Sequence, residues 1–305
     1  MTDAMRVTPL GVSQQLVADL LSQQSSISQL EEQISTGYKV NQPSDNPAAT
    51  TAIMRLQASS TRFNQYVSNA GDALGWLGTA NNVSNGVLTQ LNQVEQLTLS
   101  ATSAQTNGQS ALDALAQQVL AVRSNLLELA NTTYNNQPIF SGTANVTAAY
   151  DATGTYLGGG PVATRTVAPG VSVAVGVTGP AMFGTGATGL LSNVPGSLGV
   201  LAQIASDLQS GNISAVEGTD LSNLQNAVDV VQNQAGIIGA AYRQAQTFQQ
   251  EATSNLSSLS GELATLQDTN MTQAITELKL RQSSYQAGLW ATAQVGQLSL
   301  VSFLG

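Results

Sequence analysis

Gln33 to Pro47 reads QISTGYKVNQPSDNP, and this stretch decides how the N-terminal region of the chain folds. It places two Pro, one Gly, two Asn and one Asp within fifteen residues of a region that otherwise has helical periodicity. Gly37 can take the left-handed conformation that ends a helix. Asn46 is a strong N-cap, and Pro47 suits the first position of a helix because the N–H that proline lacks would be unpaired there anyway. The stretch therefore predicts a joint between two helices.

Apolar residues recur with helical spacing on both sides of this joint. The segment that follows it is predicted to be one long helix, which begins at Asn46–Pro47 and fails at Thr106–Gly108. A third helix is predicted from about Ser110 to Tyr134. The segment that precedes the joint has a heptad pattern with one polar member: Leu16, Leu20, Gln23, Ile27, Leu30 and Ile34.

The middle of the chain has a different composition. From Asn135 to about Pro195, Gly, Thr, Val and Pro dominate, and Val171–Val177 alternates small or apolar residues at period two. This pattern is typical of short strands separated by turns. We therefore predict a small β-rich insert here.

The C-terminal region mirrors the N-terminal one. Helices are predicted at about Leu198–Gln209 and from near Asp220 to Leu266, followed by a joint at Asp268–Asn270. The last helix again has heptad spacing with one Gln: Met271, Ile275, Leu278, Gln282, Tyr285, Leu289 and Thr292, and then Val295, Leu298, Val301 and Leu304.

This mirrored order predicts a mainly α fold with a β insert. Both termini are expected to form a long antiparallel helical bundle or coiled coil, with a small β-rich outer domain inserted between the helical halves. Three parts are predicted: a terminal coiled-coil domain of residues 1–43 and 268–305, a helical rod of 44–135 and 196–267, and an outer domain of 136–195.

The two heptad seams could form only an intramolecular core, or they could form an assembly face that also uses this core. A two-helix end leaves half of its apolar surface bare, and a large apolar side chain gains roughly 1.5–3 kcal/mol when it is buried. A copy of the same rod is the simplest partner for such a surface. The predicted seam residues are Leu16, Leu20, Ile27, Leu30, Ile34, Ile275, Leu278, Tyr285, Leu289 and Leu298, and the predicted joint residues are Gly37, Asn41, Pro43, Ser44, Asp45, Asn46 and Pro47.

The composition argues against several classes of function. The chain has no Cys and no His, which removes disulfides, Cys-His and Ser-His dyads, and the common zinc and haem ligands. Only 9% of its residues are charged, against about 25% in ordinary soluble proteins. Its net charge is −9 without a basic patch, so nucleic-acid binding is not expected. No apolar run approaches the ~20 residues of a membrane span.

Motifs that could carry chemistry are weak. Gly184–Gly189 matches G-x-G-x-x-G, but Ser192–Gly196 breaks the chain where a dinucleotide site needs a helix, so we interpret the match as a turn. Asp45 lies in a Pro-Ser-Asp-Asn-Pro turn, where a carboxylate typically caps local N–H groups. No catalytic, cofactor-binding or metal residue is assigned. An enzyme built on the β insert is the alternative from another functional class.

The first joint also resembles a known signature. Residues 33–37 and 40–49, QISTG and VNQPSDNPAA, resemble the N-terminal signature of the hook-associated protein 3 family, the hook–filament junction proteins of the flagellin-like superfamily. That family typically reads QISTGKRINRPSDDP, from which this chain departs at Tyr38, Lys39, Val40 and Gln42. Filament flagellins usually have a Lys-Asp-Asp-Ala type sequence in place of Pro-Ser-Asp-Asn-Pro, so the junction family is favoured.

Other segments extend this resemblance over nearly the whole chain except the β insert. Leu126–Asn131 and Pro138–Thr143 resemble the family's passage from a helix into the outer domain. Tyr285–Ala287 and Leu298–Leu300 resemble its C-terminal helix.

The resemblance implies a structural axial protein of the bacterial flagellum that has no cofactor and no catalytic activity. It implies a ring of copies of the chain, placed between a hook-side junction protein and flagellin, with the terminal helices in the inner tube. It also implies an extracellular location after type III export, with an export chaperone bound at about Met271–Leu304. The alternatives are a filament-forming flagellin and another extracellular rod-like assembly protein or adhesin.

Overall fold

The computed structural model describes residues 9–105 and 108–304, which are helical at both ends and mixed in the middle. The helices are α1 (Pro9–Thr36), α2 (Pro47–Leu99), α3 (Ala101–Gln105), α4 (Gln109–Ala130), α5 (Gly179–Phe183), α6 (Val200–Ser210), α7 (Ile213–Ala215), α8 (Leu221–Gln267) and α9 (Met271–Leu304). The strands are β1 (Thr133–Tyr134), β2 (Gln137–Pro138), β3 (Thr164–Ala168), β4 (Val171–Ala174), β5 (Asn193–Val194) and β6 (Ser197–Leu198). The predicted mainly α fold with a β insert is confirmed.

Two compact units divide the chain: Met1–Thr61 with Leu256–Gly305, and Arg62–Asn255. The first unit holds both terminal helices, and the second holds the insert and the helices beside it. The three-part division into terminal, rod and outer domains stays a prediction. Among the described helices, none combines the length and apolar character that crossing a membrane requires.

The predicted third helix is too long at its C-terminal end. It ends at Ala130 rather than near Tyr134, because the chain turns into a hairpin in which β1 and β2 pair antiparallel. Asn135 and Asn136 form the two-residue turn with φ of 50° and 63°. Asn tolerates this left-handed region, and such turns match the twist of a β-hairpin. The other predicted break, at Thr106–Gly108, includes Thr106 and Asn107, which lie outside the described residues.

The insert contains short hairpins and short helices. In β3 and β4 the register pairs Arg165 with Val173, and a bulge lies between Thr166 and Ala168. The predicted strand over Val171–Val177 is therefore present as far as Ala174. The segment Gly184–Gly189 is a turn, as expected, with a single 3-10 turn at Gly186–Thr188.

The core of the larger unit lies between α2, α4, α6 and α8, with the insert packed on it. Two arginines join the insert to the long helices of this unit. Arg123 of α4 is buried and donates from Nε to the Leu191 carbonyl at 2.8 Å and from Nη2 to the Thr153 carbonyl at 2.9 Å. Arg165 of β3 donates to Asp72 of α2 at 2.6 Å. Buried positions on α8 recur every seven residues, as in a coiled-coil seam: Leu224, Val231, Ile238, Ala245 and Ala252.

Candidate assembly joint and terminal helices

The first joint begins where α1 ends. The N–H of Gly37 donates to the Gln33 carbonyl at 2.9 Å, and Gly37 has a φ of +78°. The Thr36 hydroxyl donates to the Glu32 carbonyl at 2.9 Å and accepts the N–H of Tyr38 at 3.2 Å. A side chain would be strained at this positive φ, so glycine at position 37 sets the end of the helix.

Asp45 organises the turn that follows. Its Oδ2 accepts the N–H groups of Asn41 at 3.0 Å and Gln42 at 2.9 Å. The Gln42 bond first and the Asn41 bond second lower the pKa of Asp45, because both stabilise the ionised carboxylate. The carboxylate is exposed but directed to the backbone of its own loop. Asp45 therefore makes the capping bonds expected of it and has the geometry of a structural group.

The second helix begins with the cap that the sequence predicts. The Asn46 Oδ1 accepts the N–H of Ala49 at 3.0 Å, and Pro47 is the first helical residue. Pro43 and Ser44 are exposed in the turn between the two helices. The predicted joint residues thus form one continuous capped segment, and their use in assembly stays a prediction.

A second joint separates α8 from α9. The N–H of Asp268 donates to the Ala264 carbonyl at 2.8 Å and closes the last turn of α8. The Asn270 Oδ1 accepts the N–H of Gln273 at 3.2 Å and caps α9. A break and a fresh cap at residues 268–270 are therefore both present, as the sequence predicts.

The two joints are paired with each other. Tyr38 and Asp268 form an isolated antiparallel β-bridge, although they lie at opposite ends of the chain. Two backbone hydrogen bonds flank it: Lys39 N–H to the Gln267 carbonyl at 2.7 Å, and Thr269 N–H to the Gly37 carbonyl at 2.8 Å. Residue types near each joint are sufficient to predict both joints, whereas their pairing has no local signal in the sequence.

Lys39 completes this contact with its side chain. Its Nζ donates to the Thr265 carbonyl at 2.6 Å, in the last turn of α8. That turn contains no basic residue of its own. A cation there is favourable because the C-terminal carbonyls of a helix carry partial negative charge. Sequence reasoning noted Lys39 only as a departure from the family signature, and its spacing from α8 gave no local signal.

The terminal helices pack along each other, α1 against α9. The predicted α1 seam lies on the packed side, with Leu16, Leu20, Ile27, Leu30 and Ile34 buried or half-buried. Gly288 of α9 allows a close approach, because a Cβ there would lie 3.0 Å from Cδ2 of Leu20. The less exposed face of α9 is formed by Ala274, Leu278, Tyr285, Gly288 and Thr292.

Two predicted seam residues of α9 lie beside this face. Ile275 is 42% exposed and Leu289 is 45% exposed, because the smaller Ala274 and Gly288 take the inner positions. Ile275 and Leu289 therefore lie at the edge of the less exposed face rather than at its centre. Their role in an assembly face stays a prediction, and the Leu298 side chain lies outside what the structure describes.

The smaller unit exposes several large apolar side chains. Trp290 is 80% exposed and Leu21 is 67% exposed. Large apolar groups on a chain so poor in charge mark surfaces that favour association. The others on α1 and α9 are Val17, Met271, Ile275, Leu280 and Leu289.

Comparison with known proteins finds similar chains among flagellar proteins. Residues 7–145 match the family described as the bacterial flagellin N-terminal helical region. Flagellar hook-associated protein 3 of Escherichia coli (strain K12) is 23% identical over 97% of this chain and 98% of its own length. The protein of the same name from Salmonella typhimurium gives the same identity and coverage. This chain is similar to flagellar hook-associated protein 3 over nearly the full length of both.

Flagellins match a smaller part of the chain than hook-associated protein 3 does. Flagellin A of Helicobacter mustelae is 28% identical, but over 36% of this chain and 22% of its own length. The shared part is thus limited, whereas the match to hook-associated protein 3 includes both joints and both terminal helices.

Solved structures show the same fold. A flagellar hook-associated protein from Vibrio parahaemolyticus aligns with a TM-score of 0.63 at 18% identity, over 73% of this chain and 99% of its own. The flagellar junction protein FlgL from Legionella pneumophila aligns with a TM-score of 0.54 at 15% identity, over 71% and 99% respectively.

Proposed function

We propose that this chain is a structural axial protein of the bacterial flagellum and forms the junction ring that connects hook to filament. The observation that carries the proposal is the match to hook-associated protein 3 over nearly the full length of both chains. Flagellin remains the alternative, but its matches cover about a third of the chain. The proposed role is mechanical and contains no catalytic step.

The terminal helices support self-assembly. They pair through the seam of α1 and the less exposed face of α9, and they leave large apolar side chains such as Leu21 and Trp290 on the outside. Each such side chain would gain roughly 1.5–3 kcal/mol on full burial. In a ring, neighbouring copies bury these groups, while one edge of the ring contacts the hook-side junction protein and the other contacts flagellin.

Export and delivery are part of the proposal. The chain leaves the cell through the flagellar type III apparatus, and an export chaperone holds α9 until assembly. Exposed apolar positions on α9 support this, because Leu280, Leu289 and Trp290 would otherwise promote premature association. The mature location is the extracellular flagellum.

A deletion strain tests the proposal. We expect hooks without filaments and flagellin released into the medium, with filaments restored by the intact gene. Immunolabelling should place the protein in a narrow band between hook and filament. Label along the whole filament, as its bulk subunit, would overturn the junction role in favour of flagellin.

A further inference from the structure

A buried carboxyl group lies where α6, α7 and α8 meet in the larger unit. Asp220 is the last residue of a single π-helical turn, Val216–Asp220, which connects α7 to α8. Asp220 is 3% exposed, and its Oδ2 is buried without a hydrogen-bond partner. An ionised carboxylate in this position would be costly, because the oxygen is removed from bulk solvent and no N–H group of the described residues compensates its charge.

The partner of Asp220 is the carboxyl group of Asp207, near the end of α6. Both Asp207 oxygens already accept amide N–H groups: Oδ2 from Gln203 at 2.6 Å and Oδ1 from Asn212 at 3.2 Å. The two carboxyl groups are also within hydrogen-bonding contact of each other, which requires a proton between them.

We propose that Asp220 is protonated in the folded protein and donates its proton to Asp207, so that the pair is a proton-dependent clasp between the end of α6 and the start of α8. A divalent cation between Asp220 and Asp207 fits these groups less well than a proton does. Calcium takes about six to eight oxygen ligands, whereas this place offers two carboxyl groups, one of them already bonded to two amides.

The surrounding charges agree with this proposal. Burial first, and the negative charge of Asp207 second, raise the pKa of Asp220 to about 7. Asp207 is the single ionisable residue of α6, and α7 has none. The other acidic groups nearby in the chain or on packed elements are Glu217 in the same turn, Asp113 on α4 and Asp229 on α8.

The raised pKa of Asp220 determines the direction in which the stability of this segment changes with pH. The contribution of Asp220 to stability is fully present below its ordinary pKa of 3.8 and is lost progressively as the pH rises to about 7. The affected segment is the π turn, whose backbone geometry is rarely stable by itself. Rising pH should therefore open residues 216–224 before it affects the rest of the larger unit.

Hydrogen exchange on the full chain tests the clasp. Between pH ~5 and pH ~7, exchange protection of residues 216–224, corrected for intrinsic rates, should fall by about tenfold per pH unit and then level off. Asp220→Asn should remove this fall in protection with pH. Asp207→Asn should make protection level off at a lower pH, because the negative charge that raises the pKa of Asp220 is then absent. Asp229→Asn, on an exposed residue of α8, is the matched control and should keep the original slope.

Two results would overturn the proposal. Equal slopes in the unmodified protein and in Asp220→Asn would show that no proton on Asp220 is involved. Recovery of exchange protection above pH ~7 when Ca²⁺ alone is added would show that a cation, rather than a proton, joins the two carboxyl groups. If Asp220→Asn does not fold, carboxyl ¹³C NMR of the unmodified, aspartate-labelled protein provides the test instead. We expect one of the ten Asp residues to titrate near pH 7. Titration of all ten near the ordinary pKa of Asp would contradict the proposal.

Discussion

Tyr38 and Asp268 form an antiparallel β-bridge that ties the two helix–helix joints of the chain together. The backbone of Lys39 bonds to Gln267 on one side of this bridge, and that of Thr269 bonds to Gly37 on the other. The two breaks in the helices therefore lie side by side. A change in backbone conformation at one joint is therefore expected to disturb the other joint, although Tyr38 and Asp268 are 230 positions apart in the sequence.

The contact of Lys39 with α8 gives a first prediction. Lys39→Met should lower the free energy of unfolding by about 0.3–1 kcal/mol, because it removes a cation from the C-terminal carbonyls of α8. Denaturant unfolding measures the change, which should shrink at high salt. Lys279→Met is the matched control, since Lys279 is exposed on α9. An equal loss in both variants would contradict the helix-end explanation.

Asp45 gives a pH-dependent prediction. Because its pKa is lowered by the Gln42 and Asn41 N–H groups, its contribution to stability is present above its ordinary pKa of 3.8 and is lost as the pH falls through the lower folded value. Asp45→Ala should therefore be less stable than the unmodified chain at about pH 7, and the difference should narrow below about pH 4. Thermal unfolding across this range measures it. A difference that persists unchanged in acid would exclude the ionised carboxylate as its cause.

How much the sequence could predict depends on the range of the interaction. Gly37, Asp45 and Asn46 act on neighbours within four residues, so residue type alone placed the first joint and its caps correctly. The two joints pair through long-range contacts, among them that of Lys39 with Thr265, and no local sequence pattern predicts such contacts. Similarly, the turn at Asn135 shortened the third helix, because helical periodicity does not reveal where a left-handed turn interrupts it.

The α9 register shows a second limit of the sequence pattern. Heptad analysis favoured the larger Ile275 and Leu289, yet Ala274 and Gly288 occupy the side that faces α1. Close helix packing favours small residues where the backbones approach, and a hydrophobicity pattern gives such residues little weight. The same pattern was sufficient on α1, where Leu20 and Ile27 are large and also packed.

This close approach gives a third prediction. Gly288→Leu should destabilise the pairing of α1 with α9 by about 1–3 kcal/mol, because the added side chain must displace Leu20. Hydrogen exchange in residues 14–36 should rise in this variant. Gly261→Leu is the matched control, since a Cβ at Gly261 of α8 meets nothing within 4 Å. An equal loss of stability in both glycine variants would show that the close approach of Gly288 to Leu20 is not the cause of the effect.

Arg123 gives a fourth prediction, on the insert. Its guanidinium is buried and holds the carbonyls of Leu191 and Thr153, and each hydrogen bond to a charged group contributes about 1.5–3 kcal/mol. Arg123→Met should keep the apolar stem but release the insert. Limited proteolysis should then cut within residues 136–195 while helical circular dichroism is retained. Arg243→Met, on an exposed residue of α8, should leave the insert resistant.

Trp290 provides the test that links the exposed surface to assembly. In the free chain its ring is 80% exposed, so Trp290→Ser should leave folding unchanged and remove apolar area that a neighbouring copy would bury. In a deletion strain carrying this variant, we expect the protein in the medium and hooks that lack filaments. Gln286→Ser, at another exposed position of α9, should restore filaments fully. If the Trp290→Ser protein stays inside the cell, the residue acts in export instead. If filaments are normal, Trp290 is not part of the assembly face.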